Sequence, residues 1–377
     1  MTSRERILAV LNHHQPDKVP IFPRIWAWLL ERYGKVTFLE YLDLKKLFDY
    51  DPLIQVNPEL PDPIYTQFVD YALFSDIDVD ISCCSQDGKA RVERRIRTPR
   101  GELSDVMLHP RPGREYGISP NPEKIEPILK SEDDLARISY LLPDPRRFAA
   151  NSYGLIEAAI GEEGFLEVRP HLGVDHLLVD ALGITQSLIL SADDLPLFKR
   201  ILGFFHEYYK RCLVLALERG ARMIFESWFN CSLSAGWPPA IYRECFLPLI
   251  AEDARITHEH GAFFHFYDDG KIMPLLEDFK GAGIDLLSTL CPPPSGDVDA
   301  VKVKEILGES VALMGHVDLG VIRFGTPAEI ETQVHRAIEV LGSGGGYILG
   351  TSDSIRDGSP FENVKAFFDA GRKYGAY

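Results

Sequence analysis

No run in this 377-residue chain approaches the ~18 consecutive apolar residues that a membrane-crossing helix needs, so none is expected. Its opening stretch, Met1 to His14, is charged and polar and lacks the apolar centre of a secretory signal. Cysteine is scarce, six residues with Cys83 and Cys84 adjacent, which makes no disulfide framework and fits a reducing, cytoplasmic setting. Positive charge is short as well: 40 Lys and Arg against 56 Asp and Glu leave a net charge of −16. Nucleic acid is therefore not expected as a partner, because phosphate recognition needs a concentrated basic surface. A GxxxxGK[ST] loop, a CxxC pair and an HExxH helix are all missing. The run Gly342-Ser343-Gly344-Gly345-Gly346 precedes a strand, whereas a dinucleotide loop follows one and opens a helix, so it carries no nucleotide reading.

What is present is an ordinary globular balance, 45% hydrophobic and 25% charged, with enough chain for one large core. Arg4 to Leu11 reads as an amphipathic helix. Eight short strand-like runs follow: Val19–Pro23, Asp78–Cys83, Phe165–Arg169, Met223–Glu226, Phe263–Phe266, Ile284–Leu287, Val311–Met314 and Tyr347–Leu349. In the later half each run follows a helical pattern closed by glycine, the usual C-cap, and is continuously apolar, as doubly buried parallel strands are. Alternating β and α elements imply a parallel sheet, and eight of them imply closure into a (β/α)8 TIM barrel, with an open doubly wound sheet as the alternative. Between Arg91 and His109, apolar residues alternate around Thr98-Pro99-Arg100-Gly101, which predicts a β-hairpin insertion. The proline-rich stretch 110–127 reads as a surface excursion. No linker divides residues 1–377, so a single domain is expected.

In such a barrel, functional groups sit just past the C-terminal strand ends. Those positions hold Arg24, Cys83, His171, Glu226, His265 with Tyr267, Cys291, His316 with Asp318, and Asp353. Each has a structural alternative: an arginine paired on the surface, a buried cysteine acting as a small hydrophobe, a satisfied core histidine. Glu226 is the hardest to read as inert, because a carboxylate ending Met-Ile-Phe must be paired, protonated or bound. Trp26, Trp28, Trp228 and Phe229 would shape an apolar pocket.

The motifs also carry a resemblance. Arg4-Glu5-Arg6 with Pro16-Asp17-Lys18-Val19-Pro20, Thr98-Pro99-Arg100-Gly101 followed by Lys130-Ser131-Glu132-Asp133-Asp134-Leu135, and Tyr242-Arg243-Glu244-Cys245-Phe246-Leu247-Pro248 are similar to segments of the uroporphyrinogen decarboxylase superfamily. So are Met314-Gly315-His316-Val317-Asp318, with His where Asn is usual, and Gly346-Tyr347-Ile348-Leu349 through Pro360-Phe361-Glu362-Asn363-Val364. The resemblance spans nearly the whole chain and implies a (β/α)8 barrel with its site in the barrel mouth. Within the superfamily, the decarboxylase run M-R-Q-A-G-R is absent from the stretch Arg24 to Arg32, and the decarboxylase's late histidine falls at Asp353. The corrinoid-linked methyltransferase branch uses a zinc held by His-x-Cys and a late Cys; here those positions read His265, Tyr267 and Asp353.

The resemblance thus implies a methyltransferase that moves a methyl group between a small methylated substrate and a corrinoid on a separate protein. In that reading Glu226, His265, Tyr267 and Asp353 are the catalytic set, and Arg24, Trp26, His171, Trp228 and His316 bind substrate. A divalent metal such as zinc would rest on His265, Glu226 and Asp353. A corrinoid protein and a second copy of the chain are the candidate protein partners. Uroporphyrinogen decarboxylation and a non-catalytic binding barrel are the alternatives.

Overall fold

The computed structural model describes residues 1–57, 60–113, 117–147 and 153–377. Among them are eleven strands, numbered in chain order. They are β1 (Leu53–Val56), β2 (Asp78–Gln86), β3 (Lys89–Thr98), β4 (Gly101–His109), β5 (Glu123–Glu126) and β6 (Phe165–Val168). The rest are β7 (Met223–Ser227), β8 (Phe263–Tyr267), β9 (Leu286–Thr289), β10 (Ala312–Val317) and β11 (Tyr347–Thr351). The chain divides into two compact units. One comprises Met1–Asn57, Asn151–Pro170 and Ala216–Tyr377; the other comprises Pro58–Ala150 and His171–Leu215.

The first unit is an α/β fold around a seven-stranded parallel sheet, in the order β1-β6-β7-β8-β9-β10-β11. Its later strands are buried on both sides, β7 and β11 along their full length, which is why they read as unbroken apolar runs. Some of the helices beside the sheet begin where the sequence provides caps. Thr326 and Glu329 form a reciprocal capping box at the start of Pro327–Leu341, with proline at its first position. That helix buries Ile330, Val334, Ala337 and Leu341, one stripe at helical spacing. Helix Phe361–Tyr374 turns Val364, Phe367 and Phe368 inward, and Phe368 stacks on Phe48 with ring centroids 4.4 Å apart. Each buried phenylalanine contributes about 1.5–3 kcal/mol.

Two of the eight expected strands resolve differently. Asp78–Cys83 lies in β2, outside the parallel sheet, and pairs antiparallel with β3. Its alternation of Asp with Val and Ile is an antiparallel pattern, not that of a doubly buried strand. The parallel sheet takes Leu53–Val56 in its place, paired with β6 from Leu53↔Phe165 to Val56↔Val168. Val19–Pro23 makes only a one-residue parallel bridge, Ile21 to Leu349. Prolines 20 and 23 remove two donors from the stretch, which keeps it short. Even so, Phe22 N donates to the Leu349 carbonyl (2.8 Å), Leu349 N to that of Pro20 (2.8 Å) and Asp51 N to that of Ile21 (2.9 Å).

The second unit carries a four-stranded antiparallel sheet, β2-β3-β4-β5. The expected hairpin is β3–β4, in register from Thr98↔Gly101 to Ala90↔His109. Part of the 110–127 stretch lies outside the described residues, but Glu123–Glu126 forms β5 against β4 rather than a free excursion. Arg94, fully buried, pairs with Asp105 through two contacts of 2.8 and 2.6 Å. Among the described residues no single helix is long and apolar enough to cross a membrane. Only the bent pair Val174–Leu182 and Ile184–Asp193 passes that test, when its arms are taken together.

Candidate functional site

Strand alternation decides which side chains can meet. On β7 and β8, Phe225, Ser227, His265 and Tyr267 share one face, because Phe225 pairs with His265 and Ser227 with Tyr267. Their rings confirm the arrangement: Phe225 is 5.0 Å from His265 and 5.7 Å from Tyr267, centroid to centroid. Arg24, just past the Ile21 bridge, lays its guanidinium 4.6 Å from the Phe225 ring centre and 4.5 Å from that of Tyr267. Its Nη2 reaches Gln55 Oε1 at 3.3 Å. Arg169, past the end of β6, donates to Ser227 Oγ (2.7 Å) and stands 5.8 Å from the same Phe225 centre. Both arginines are half-buried at the C-terminal edge of the sheet.

His265 lies deeper. Its Nδ1 is 2.8 Å from Glu167 Oε2, and its Nε2 is 2.8 Å from Ser288 Oγ. His265 and Glu167 are both out of solvent. A carboxylate only accepts, so the proton between them sits on Nδ1. Both ring nitrogens are thus engaged, and the imidazole works as a strut across β6, β8 and β9.

Closer to solvent, Tyr267, Asp269 and Asp353 come together. The Tyr267 hydroxyl is 2.8 Å from Asp353 Oδ1 and 3.3 Å from Asp269 Oδ2. Asp353 also accepts from Arg356 Nη2 and from Ser354 N, each at 2.6 Å. Burial, and next the negative charge of Asp353, push the Asp269 carboxyl up to about 6. Burial with the same two carboxylates pushes the Tyr267 phenol well above its ordinary range. A phenol has one proton, and the shorter contact assigns it to Asp353. A protonated Asp269 then donates to the phenol oxygen, whereas an ionised one faces it with nothing to accept. The group therefore holds an exchangeable proton on Asp269 near pH 6, with the charges of Arg24 and Arg356 close by.

The remaining expected site residues lie elsewhere. Glu226 is one residue out of phase with Phe225 and Ser227, so it faces the opposite side of β7, beside Phe266. There it accepts from Trp228 Nε1, and Trp228 packs on Phe246 at 5.5 Å. Neither Glu226 nor Trp228 joins the Tyr267 group. Trp26 is 43% exposed on the first turn of helix Trp26–Tyr33. His171 belongs to the second unit, where its Nε2 is 3.4 Å from Asp62 and its ring meets Tyr208 edge-on. His316 has φ +85°, which breaks the alternation of β10; its Nδ1 donates to the Leu290 carbonyl at 3.1 Å, and burial pushes its pKa down. Asp318 caps helix Leu319–Phe324. Cys83 is exposed on β2. Burial pushes the Cys291 thiol up to about 11, the opposite of a thiolate ligand.

A metal on His265, Glu226 and Asp353 does not fit. Glu226 points away, His265 has both nitrogens in hydrogen bonds, and Asp353 is held by Tyr267, Arg356 and Ser354. Among the described residues no three His, Cys, Asp or Glu side chains group as ligands would. Sequence reasoning had passed over Asp269, Glu167, Arg169 and Arg356. The signal for Glu167 was the one that singled out Glu226, a carboxylate inside Phe165-Leu166-Glu167-Val168. For Asp269 it was Asp269-Gly270, where Gly270 has φ +82° and an added Cβ would fall 2.0 Å from Ser234 Oγ.

The uroporphyrinogen decarboxylase family profile matches residues 182–374, half of the chain. The chain belongs to the uroporphyrinogen decarboxylase family. Uroporphyrinogen decarboxylase of Synechococcus sp. (strain CC9605) is 28% identical over 46% of this chain and 47% of its own. That of Parasynechococcus marenigrum (strain WH8102) is 28% identical over 72% of this chain and 76% of its own. For most of these relatives the match spans half their length or less. A methyltransferase from Methanosarcina mazei has the same fold, with TM-score 0.61 over 99% of both chains at 18% identity.

Proposed function

We propose that this family member is a methyltransferase, moving the methyl group of a small O- or N-methylated, anion-bearing substrate to a corrinoid carried by a separate protein. The observation that carries the reading is Asp269, a carboxyl half-protonated near pH 6 that contacts Tyr267, on the sheet face where Arg24 and Arg169 stand near Phe225. A reduced corrinoid, when bound, supplies the nucleophile that takes the methyl carbon. This chain's task is then to make the heteroatom a better leaving group. As the bond from methyl carbon to oxygen or nitrogen breaks, its electron pair stays on the heteroatom, and the Asp269 proton neutralises it. Tyr267 and Asp353 hold Asp269 in place, and solvent water returns its proton between turnovers. Arg24 and Arg169 orient the substrate's anionic group, and Phe225 supplies the apolar floor between them.

The reading has support from the fold shared with the Methanosarcina mazei methyltransferase and from the absence of M-R-Q-A-G-R between Arg24 and Arg32. It takes the protein to act in the cytoplasm. It also takes the parallel sheet as a (β/α)8 barrel closed through Pro20–Phe22.

The test uses purified protein, free reduced cobalamin and a panel of methoxy and methylamino carboxylates. The expected result is a time-dependent change of the cobalt absorption spectrum with at least one substrate, together with release of its demethylated product. Release of carbon dioxide from a porphyrinogen without any corrinoid would overturn the reading in favour of decarboxylation.

A further inference from the structure

Pro248 stands in the first turn of helix Leu247–Glu259 and has no N–H to donate to the preceding turn. That turn, Tyr242–Phe246, is π-helical, the wider form that marks breaks in regular helical bonding and recurs at functional sites. It follows the short helix Pro239–Ile241 and aims Tyr242 inward, where the ring meets Phe246 edge-on at 5.7 Å and Phe279 at 6.1 Å. The Tyr242 hydroxyl donates to Asp268 Oδ2 at 2.9 Å, and both residues are buried. Burial, and next the charge of Asp268, push the Tyr242 phenol well above its ordinary range, so the phenol keeps its proton and the carboxylate accepts.

Asp268 and Asp269 follow β8 directly, and alternation sends them to opposite faces of the sheet. Asp269 shares the face of Tyr267, whose hydroxyl it meets at 3.3 Å, while Asp268 turns to Tyr242. Asp268 N donates to the Ser288 carbonyl at 3.0 Å, so the bonding of β8 to β9 continues to that residue. Past Asp269 the chain is held a second time: Lys271 N donates to Ser234 Oγ at 2.9 Å, and Gly270, at φ +82°, leaves no room for a Cβ beside that hydroxyl. Asp269 is thus bracketed by two anchors. The groups that face it are Tyr267 on β8, Asp353 and Arg356 after β11, Arg24 after the Ile21 bridge, and Cys291 after β9. Its hold on a proton comes first from burial and next from Asp353, so it lasts only while the carboxyl is kept in that place. Resting on the reading of Asp269 as the acid, we propose that Tyr242 is a positioning residue: its hydroxyl, through Asp268, fixes the Asp268-Asp269-Gly270 segment so that the Asp269 carboxyl stays at the Tyr267 hydroxyl.

A double-mutant cycle with Asp269→Asn tests this without any activity measurement. In the otherwise wild-type chain, Asp269→Asn should raise the urea midpoint at pH ~8 and leave it unchanged at pH ~4, because only an ionised, buried carboxyl is a disadvantage. Tyr242→Phe keeps the ring and deletes the donor. The freed segment then lets the Asp269 carboxyl reach water, its pKa falls back toward 3.8, and the gain from Asp269→Asn at the higher pH is lost. A merely structural role for Tyr242 would lower both members of the pair together and leave that gain intact. Asp268→Asn still accepts from the hydroxyl and should keep the gain. Asp268→Ala removes the acceptor, carries the same expectation as Tyr242→Phe, and decides the matter should that variant fail to fold. The second readout is the pH profile of single-turnover methyl transfer. Its alkaline limb should move about one pH unit toward acid in Tyr242→Phe, with several-fold slower transfer at pH ~6. A gain from Asp269→Asn that survives in Tyr242→Phe or Asp268→Ala, or that vanishes in Asp268→Asn, would overturn the proposal. A lost gain beside an unmoved limb would uphold the anchor and retire Asp269 as the acid instead.

Discussion

Asp269 shows how a single buried carboxyl ties stability to chemistry. Its folded-state pKa is raised from 3.8 to about 6, first by burial and then by Asp353. A raised carboxyl favours the folded state while protonated, so what it contributes is fully present below its unfolded value and is lost as pH rises through about 6. At pH ~8 the folded protein holds an ionised group that the unfolded chain solvates better, a disadvantage of roughly 3 kcal/mol at most. Asp269→Asn removes that disadvantage. Its urea midpoint should exceed that of the wild type near pH 8 and match it near pH 4; a variant that loses stability equally at both values would refute the assignment. Much of this neighbourhood was readable from residue type and position: His265 and Tyr267 lie on β8, Asp353 follows β11, and Arg24 follows the Ile21 bridge. The proton-holding role was not readable, because it depends on the 3.3 and 2.8 Å spacings of Asp269 and Asp353 around one phenol.

A one-residue phase on a strand separates a catalytic reading from a structural one. Glu226 and Phe225 are neighbours in sequence, yet Phe225 touches the Arg24 and Tyr267 side of β7 while Glu226 accepts from Trp228 on the other. The sequence marks Glu226 as a buried carboxylate in an apolar run, but a strand buried on both faces has no polar–apolar alternation to say which face is which. Glu226→Gln keeps an acceptor for the indole N–H and leaves the opposite face untouched. Its methyl-transfer rate should stay within about threefold of the wild type, whereas Asp269→Asn should lose on the order of 10²–10⁴. Single-turnover rates of the two variants decide the matter; an equal loss in both would move the acid to Glu226. The same ambiguity of period explains the exchanged strands. Leu53-Ile54-Gln55-Val56 is too short to stand out, while Asp78-Val79-Asp80-Ile81 looks strand-like because it is one, in the antiparallel sheet.

At the scale of the whole molecule, helix–glycine–strand repetition from Met223 onward made the α/β class legible, and the motifs from Arg4 to Val364 pointed to the family that residues 182–374 confirm. The division into two units was not read from the sequence, because the second unit is assembled from two separated stretches, Pro58–Ala150 and His171–Leu215, so no single linker marks it off. Prolines 20 and 23 likewise hide how the parallel sheet meets its first segment, where one bridge at Ile21 stands for an expected strand. What ties these parts to an activity is the proton on Asp269, and its titration is open to direct measurement. Once a methylated substrate has been found, the single-turnover rate of methyl transfer should be followed from about pH 5 to about pH 8 at saturating substrate. The account predicts a plateau on the acid side and a fall approaching tenfold per pH unit above about 6, as Asp269 loses its proton. A rate that is flat across this range, or that rises with pH, would contradict it.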